Sequence, residues 1–298
     1  VSKSRKTGHL LTEKINPKTA DIDMRSPVEI IDLILDEDRT ITDAIEKEKK
    51  NIAKGVGIIV DRLSRGGRLI FIGAGTSGRL GVMEAAECPP TFGTDPSMIQ
   101  AVIAGGTRAI KKSVEGAEDS RKEARRALKE LELNSEDVVV GIAASATTPF
   151  VESALRYAQK KESGRILVTC NPVATKAADV VISLKVGPEA IVGSTRMKAG
   201  TATKMVLNML TTASMVTLGK TYGNLMVDVQ PRSAKLKDRA KRIVRHLTGV
   251  SDTTAKELLE TSGWDVKVSV VMGAKKLSHR KAKELLAKHQ GFLRGALE

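Results

Sequence analysis

Three segments place hydroxyl side chains where the chain should turn into a helix, and each could grip an anion. In the first, Gly73-Ala-Gly75-Thr76-Ser77-Gly78 follows the apolar run Arg68–Ile72 and opens a helical pattern. Glycines allow a ligand close to the backbone, N–H groups at a helix start point outward, and the Thr76 and Ser77 hydroxyls add donors. That combination suits a phosphate monoester, with Gly75, Thr76, Ser77 and Gly78 as its binding residues. The spacing also satisfies G-x-G-x-x-G, so a dinucleotide fold competes. Two features weigh against it: the turn is rich in hydroxyls, and the next apolar run, Ile99–Ala104, ends in Gly105-Gly106 where a ribose would need an acidic residue. The second segment is Ser145-Ala146-Thr147-Thr148-Pro149. If the two loops converge, Ser145 and Thr148 become donors to the same phosphate; taken alone, the segment reads equally well as an N-cap. The third, Ser194–Thr201, adds two cations, Arg196 and Lys198, that could neutralise a bound anion or simply lie on the surface.

The elements around these segments read as α/β. From Ser26 to about Leu63 the apolar residues fall at helical spacing, Val28, Ile31 and Leu35 in one stripe and Ile41 to Leu63 in another, which predicts two helices. Runs rich in β-branched residues follow at Arg68–Ile72, Ile99–Ala104, Asp137–Ala143, Arg165–Thr169 and Val180–Leu184, with helical stretches at 77–88, 119–132, 149–161 and 196–218. Near-continuous apolar strands separated by helices predict a five-stranded, doubly wound parallel sheet covered on both faces. Ligands of such sheets bind outside the carboxyl ends of the strands, so the loops after Ile72 and Ala143 are where chemistry is expected. Beyond Val229 the pattern is purely helical, with Ser251 and Ser278 as N-caps, Gly249, Gly263 and Gly273 as punctuation, and Trp264 with Val266, Val268 and Val270 as core. The expected division is an N-terminal arm with helices over 1–54, a sheet domain over 55–228 and a small helical domain over 229–298.

Composition narrows the function classes. No apolar run approaches the ~20 residues that span a bilayer, and Val1–Leu11 is basic without an apolar stretch behind it, so a cytoplasmic protein is expected, with no membrane partner. Two cysteines, Cys88 and Cys170, make no disulfide framework, and neither they nor the four histidines have metal-ligand spacing; no metal is expected. Net charge is +14, and residues 229–298 hold 16 basic against 7 acidic side chains, which reads first as a solvated Lys-rich helical surface, although such a field would also steer a phosphorylated sugar. Aromatic residues are only 2%, too few for a stacking surface, and nucleic acid is not an expected partner. Among carboxylates, Glu87 stands just before Pro89-Pro90, which should end its helix and set the carboxyl at the negative end of the dipole, where the protonated form is favoured. Glu115, Glu118 and Asp119 lie together ahead of a helix, and spacing does not choose among them.

The strings GAGTSGRLG, AAECPPTFG, SVEGAEDS, DVVVGIAAS, TCNP, STRMKAGTATKMVLNML and GNLMVDV closely resemble the N-acetylmuramic acid 6-phosphate etherase family, and TEKINPKTADID resembles its N-terminal signature. The likeness spans almost the whole chain. It implies a sugar isomerase (SIS) fold with a ubiquitin-associated-like helical C-terminus. The activity it implies is a lyase that uses no cofactor and removes D-lactate from C3 of a sugar phosphate. It also implies a homodimer whose subunits complete each other's sites. By the same resemblance Glu87 is the general acid and Glu118 the base at C2; Arg196 and Lys198, from their place near a helix start, could then neutralise the phosphate or the lactyl carboxylate, or equally be surface residues. One departure stands out: where the family usually has ASGRTP, this chain has Ala146 and Thr147 in place of Gly and Arg. That bears on substrate specificity rather than fold.

Overall fold

The computed structural model describes residues 8–298, so residues 1–7 of the Val1–Leu11 stretch lie outside it. The described chain begins as an arm of three 3-10 turns, Leu11–Glu13, Pro17–Thr19 and Ile22–Met24. Lacking an apolar period to bury, the arm is fastened by polar bonds to remote residues. The Asn171 side chain accepts from the Leu11 N–H at 2.6 Å and donates to Thr12 Oγ1 at 3.1 Å. The Gly193 N–H donates to the Thr12 carbonyl at 3.2 Å, and Thr19 Oγ1 donates to the Ala190 carbonyl at 2.9 Å.

Three helices follow rather than the expected two: α1 (Pro27–Asp38), α2 (Ile41–Lys47) and α3 (Lys49–Ser64). The second apolar stripe is interrupted at Glu48, whose backbone at φ −97°, ψ 1° ends α2 and begins α3. A capping box, Ser26 with Glu29, starts α1 and satisfies two otherwise free N–H groups. Its apolar stripe does not face a core: Val28, Ile31 and Leu35 are exposed.

Five parallel strands, β1 (Leu69–Gly73), β2 (Ile99–Ile103), β3 (Val138–Ile142), β4 (Gly164–Thr169) and β5 (Val180–Ser183), form one sheet in the order β2-β1-β3-β4-β5. All residues of β1 and β3 are buried, which is why these strands read as unbroken apolar runs. Between and after the strands come α4 (Gly75–Phe92), α5 (Arg108–Lys111), α6 (Arg121–Glu130), α7 (Pro149–Lys160) and α8 (Lys198–Thr217). One face of the sheet packs Ile70, Ile72, Val139 and Leu167 against Leu128 of α6 and Leu155 of α7. On the other face Gly55 of α3 lets Leu210 of α8 and Ile166 approach so closely that a β-carbon there would sit 3.1 and 3.4 Å from them. A buried Glu84 on α4 accepts hydrogen bonds from Asn208 and Thr211 and stitches α4 to α8.

Pro89 and Pro90 do not end α4, which runs through them to Phe92. Two prolines remove two N–H donors from the ladder, but the turn closes beyond them through the Gly93 N–H to the Pro89 carbonyl at 3.0 Å, so the loss is confined to one turn. The C-terminal helices are α9 (Ala234–Thr248), α10 (Asp252–Thr261), α11 (Val266–Lys275), α12 (His279–Lys288) and a short α13 (Leu293–Leu297). Ser233, Ser251, Asp265 and Ser278 each cap a helix by accepting from the third N–H along. Val266, Val268 and Val270 are core, whereas Trp264 is half-buried against it with Lys237 Nζ 4.9 Å from its ring centre. Gly273 lies inside α11, not at its end; a β-carbon there would come within 3.0 Å of Leu258 and Thr248, so its role is close helix packing.

The chain forms two compact units: residues 8–85 with 97–211, holding the sheet, and residues 86–96 with 212–298, holding the C-terminal helices. Among the described residues no helix is long and apolar enough to cross a membrane.

Candidate functional site

Strand order reverses between β1 and β3, so their following loops diverge and leave a crevice at the carboxyl edge. A cavity of about 450 Å³ occupies it. Its walls are Gly75, Thr76 and Ser77 at the first turn of α4, Ser145, Thr147 and Thr148 from the loop after β3, and Glu118 and Asp119 from the turn before α6. Gly193 and Thr195 from the segment before α8 and Leu10 and Glu13 from the arm complete it.

The hydroxyl geometry suits an anion. The first N–H groups of α4 have no carbonyl to meet within the helix and carry the positive end of its dipole. Ser145 Oγ accepts from the Thr147 N–H at 3.3 Å and from Thr147 Oγ1 at 3.1 Å, which leaves its own proton to donate outward. Thr148 occupies the N-cap of α7 without using its hydroxyl as a cap. The N-cap reading of that hydroxyl therefore does not describe it, and Thr148 lines the cavity. Two loops that are remote in sequence thus present donors to one space.

The three adjacent carboxylates are sorted by position. Asp119 faces this cavity, Glu115 faces a smaller neighbouring one and accepts from Ser113 Oγ at 2.8 Å, and Glu118 lines both. Glu13 was not legible as a site residue: its signal was an arm without periodicity. Its position depends on the bonds from Asn171 and Gly193 that hold Leu11 and Thr12. Among the described residues its carboxylate has no hydrogen bond or ion pair.

Four expected site residues stand elsewhere. Gly78 is buried and does not line the cavity; a β-carbon there would lie 2.6 Å from Ile103 and 2.7 Å from the Gly73 carbonyl, so it serves the close approach of α4 to the sheet. Lys198 is 2% exposed, and its ammonium is paired with buried Glu37, not offered to a ligand. Burial pushes the Glu37 carboxyl up, but the hydrogen bond and charge of Lys198, with Lys18 beyond, outweigh it and hold it below the ordinary carboxylate value. Arg196 is exposed and lines neither cavity. Glu87 is also exposed on α4, does not line the cavity, and is not at the helix end. The start of α8 is already filled: the Glu189 carboxylate, fully buried, accepts from the Lys198 N–H at 3.0 Å and the Ala199 N–H at 2.9 Å. Burial raises the Glu189 carboxyl despite those donors. Burial likewise lifts the Cys170 thiol to about 12, which removes it as a nucleophile near neutral pH.

A doubly wound sheet with a hydroxyl-lined crevice at its switch point is the arrangement of a SIS-type domain, and residues 51–159 match the family model described as "Glucokinase regulatory protein N-terminal SIS domain". The similarity to individual proteins extends much further. The chain is 50% identical over 292 residues to the N-acetylmuramic acid 6-phosphate etherase of Geobacillus thermodenitrificans (strain NG80-2), covering 97% of this chain and 99% of that one. Proteins of the same name from Clostridium botulinum (strain Okra / Type B1) and Yersinia pestis (strain Pestoides F) are each 49% identical across 97% of this chain and 96% and 99% of theirs. The chain belongs to the N-acetylmuramic acid 6-phosphate etherase family.

Proposed function

We propose that this protein is a carbon–oxygen lyase that cleaves the D-lactyl ether of N-acetylmuramic acid 6-phosphate by elimination and hydration, giving N-acetylglucosamine 6-phosphate and D-lactate. The observation that carries the reading is near-end-to-end identity of about half with relatives of that name. The cavity supports it independently, because hydroxyls from two strand ends surround a space fit for a phosphate and a carboxylate stands at its edge. Phosphate is held by the start of α4, Thr76 and Ser77, and by Ser145 and Thr148. Once the sugar ring has opened to the aldehyde, the proton on C2 is acidified by the neighbouring carbonyl. Glu118 takes that proton, the electron pair forms the C2–C3 double bond, and the C3–O bond breaks as an acid protonates the departing lactate oxygen. Water then adds to C3 and a proton returns to C2. The chemistry calls for neither nucleotide nor metal, and its substrate and products belong in the cytoplasm.

Glu87 is the acid in this reading, supplied across a homodimer to the cavity of the other copy. Its exposure on α4 supports that arrangement, and so do the exposed apolar side chains Val28, Ile31 and Leu35 on α1 and Met209 on α8, which a second copy would cover. Lactate release from the purified protein given the phosphorylated muramic substrate tests the activity; a ketose product without lactate would instead make it an aldose–ketose isomerase. Glu118→Gln is expected to cut lactate release ~10²–10⁴-fold with binding retained. Mixing equal amounts of unfolded Glu87→Gln and Glu118→Gln chains and refolding them together should restore about a quarter of wild-type activity, since half the dimers then hold one intact site. No recovery on mixing would place both carboxylates in one subunit.

A further inference from the structure

We infer that the smaller cavity beside the phosphate-binding one is the subsite for the lactyl arm, and that Arg79 reads the lactyl carboxylate there. The inference rests on the etherase reading and adds the group that distinguishes substrate from product. The two cavities share Ala74, Gly75 and Glu118. A base that removes the C2 proton must stand beside C2, and the ether leaves from C3, the next carbon. With the phosphate end of the sugar in the larger cavity and Glu118 at the junction, the substituent on C3 points into the smaller one. Its volume is about 150 Å³. At the ~30 Å³ that a water takes up in the liquid, that is room for about five non-hydrogen atoms, the size of the lactyl arm beyond its ether oxygen.

Arg79 supplies the recognition. It lies in the first turns of α4, lines the smaller cavity and not the larger, and its Nε–H donates to the Ile110 carbonyl at 3.0 Å. That tether sets the plane of the guanidinium and leaves the N–H groups of its two terminal nitrogens to spare. Among the described residues Arg79 has no ion pair, so its guanidinium stands in the cavity unpaired, although Glu115 and Glu118 line the same space. Glu115, on the same wall, is turned to Ser113 Oγ. A guanidinium held by one edge and open at the other matches the two oxygens of a carboxylate, and the pair would also retain lactate near the reacting carbon while the carbon–oxygen bond breaks.

The test compares two ligands that differ only in the lactyl arm. In a Glu118→Gln background, which slows turnover, titration calorimetry should show Arg79→Met weakening N-acetylmuramic acid 6-phosphate ~10–100-fold while N-acetylglucosamine 6-phosphate binds within about twofold of its original affinity. Arg79→Lys, which keeps charge but loses the fork, should fall between. Equal weakening of both ligands, or of neither, overturns the assignment, since the first would put Arg79 on the phosphate or in the fold and the second would leave it idle. Should Arg79→Met fail to fold, the folded Glu118→Gln protein decides alone. A substrate analogue with the lactyl carboxylate converted to its neutral amide should bind ~10-fold or more weakly, and equal affinity for acid and amide overturns the subsite. Wild-type lactate release, measured alongside, separates the two claims: its absence removes the etherase reading, whereas its presence with an indifferent Arg79 removes only the subsite.

Discussion

Helices α4 and α8 begin alike. Each begins among hydroxyl side chains and glycine, each has first-turn N–H groups with no carbonyl to meet within the helix, and each invites an anion on the same electrostatic grounds. At α4 the invitation is open: Thr76 and Ser77 face a cavity. At α8 the protein has answered it itself, with the buried Glu189 carboxylate on the Lys198 and Ala199 N–H groups and the Lys198 ammonium paired to Glu37. The difference lies in what reaches each helix start. Glu189 comes from only nine residues upstream of Lys198 and bonds its N–H, while among the described residues no carboxylate accepts from the first N–H groups of α4, although Glu13 and Glu118 line the same cavity. A helix start with hydroxyls is therefore available to a ligand only where the fold does not bond an internal anion to it.

The sharpest way to break this comparison is to treat Lys198 as if it were a ligand-binding residue. Lys198→Ala leaves the buried Glu37 carboxylate with only the exposed Lys18, at 3.4 Å, as an ion-pair partner, which should cost about 3 kcal/mol of stability in urea unfolding. Replacing both, as Lys198→Met with Glu37→Leu, should recover most of that loss. A stable Lys198→Ala protein with weakened substrate binding would mean that α8, too, serves the ligand. At α4 the expectation is reversed and smaller: Ser77→Ala or Thr76→Val should each raise KM for any sugar phosphate ~10-fold while unfolding stays close to wild type.

Acid titration distinguishes the two carboxylates at α8 by sign. Glu37 is held below the ordinary value of 4.5, so its contribution is complete above pH 4.5 and lost as pH falls through the depressed folded value. Glu189 is raised above 4.5, so the folded state keeps its proton longer than the unfolded one and stability declines as pH rises from 4.5 through the folded value. Unfolding followed against pH should therefore show a shallower low-pH slope in Glu37→Gln, the rest coming from other depressed carboxylates such as Glu152, and an altered slope just above 4.5 in Glu189→Gln. Identical profiles for the two variants would contradict the opposite shifts.

The same contrast explains what could be read from the chain alone. Strands β1 to β5 were legible to within a residue or two, most plainly β1 and β3, where burial on both faces demands unbroken apolar runs, and the hydroxyl-bearing start of α4 was legible because strand, glycine and hydroxyl lie within ten residues. Lys198 was not, since its partner Glu37 is 161 residues away and no local pattern announces the pair. Glu13 escaped for a similar reason: Asn171, which holds its neighbours, belongs to the loop after β4. Pro89 and Pro90 misled because a stop signal near a helix end can be bridged by one later hydrogen bond, here from Gly93.

The smallest effect concerns the loop that faces α4 across the cavity. Ala146 sits at φ +61°, a left-handed conformation in which its β-carbon crowds the following carbonyl, at the end of a turn closed by its own N–H to the Ala143 carbonyl at 2.9 Å. The family pattern has glycine there. Glycine removes the crowding, worth ~1–2 kcal/mol, but gives back ~0.5–1 kcal/mol in unfolded-chain entropy, so Ala146→Gly should stabilise the protein by about 0.5–1 kcal/mol. Thermal unfolding would register that as a rise of a few degrees at most, and a fall would mean that the loop does not hold Ala146 left-handed in solution. Because Ser145 and Thr147 flank this residue and line the cavity, relaxing it also loosens two of the hydroxyls that oppose α4. A stabilised variant with a higher KM would show that the strained alanine keeps those donors in place, a role that a turn far from the ligand would not have.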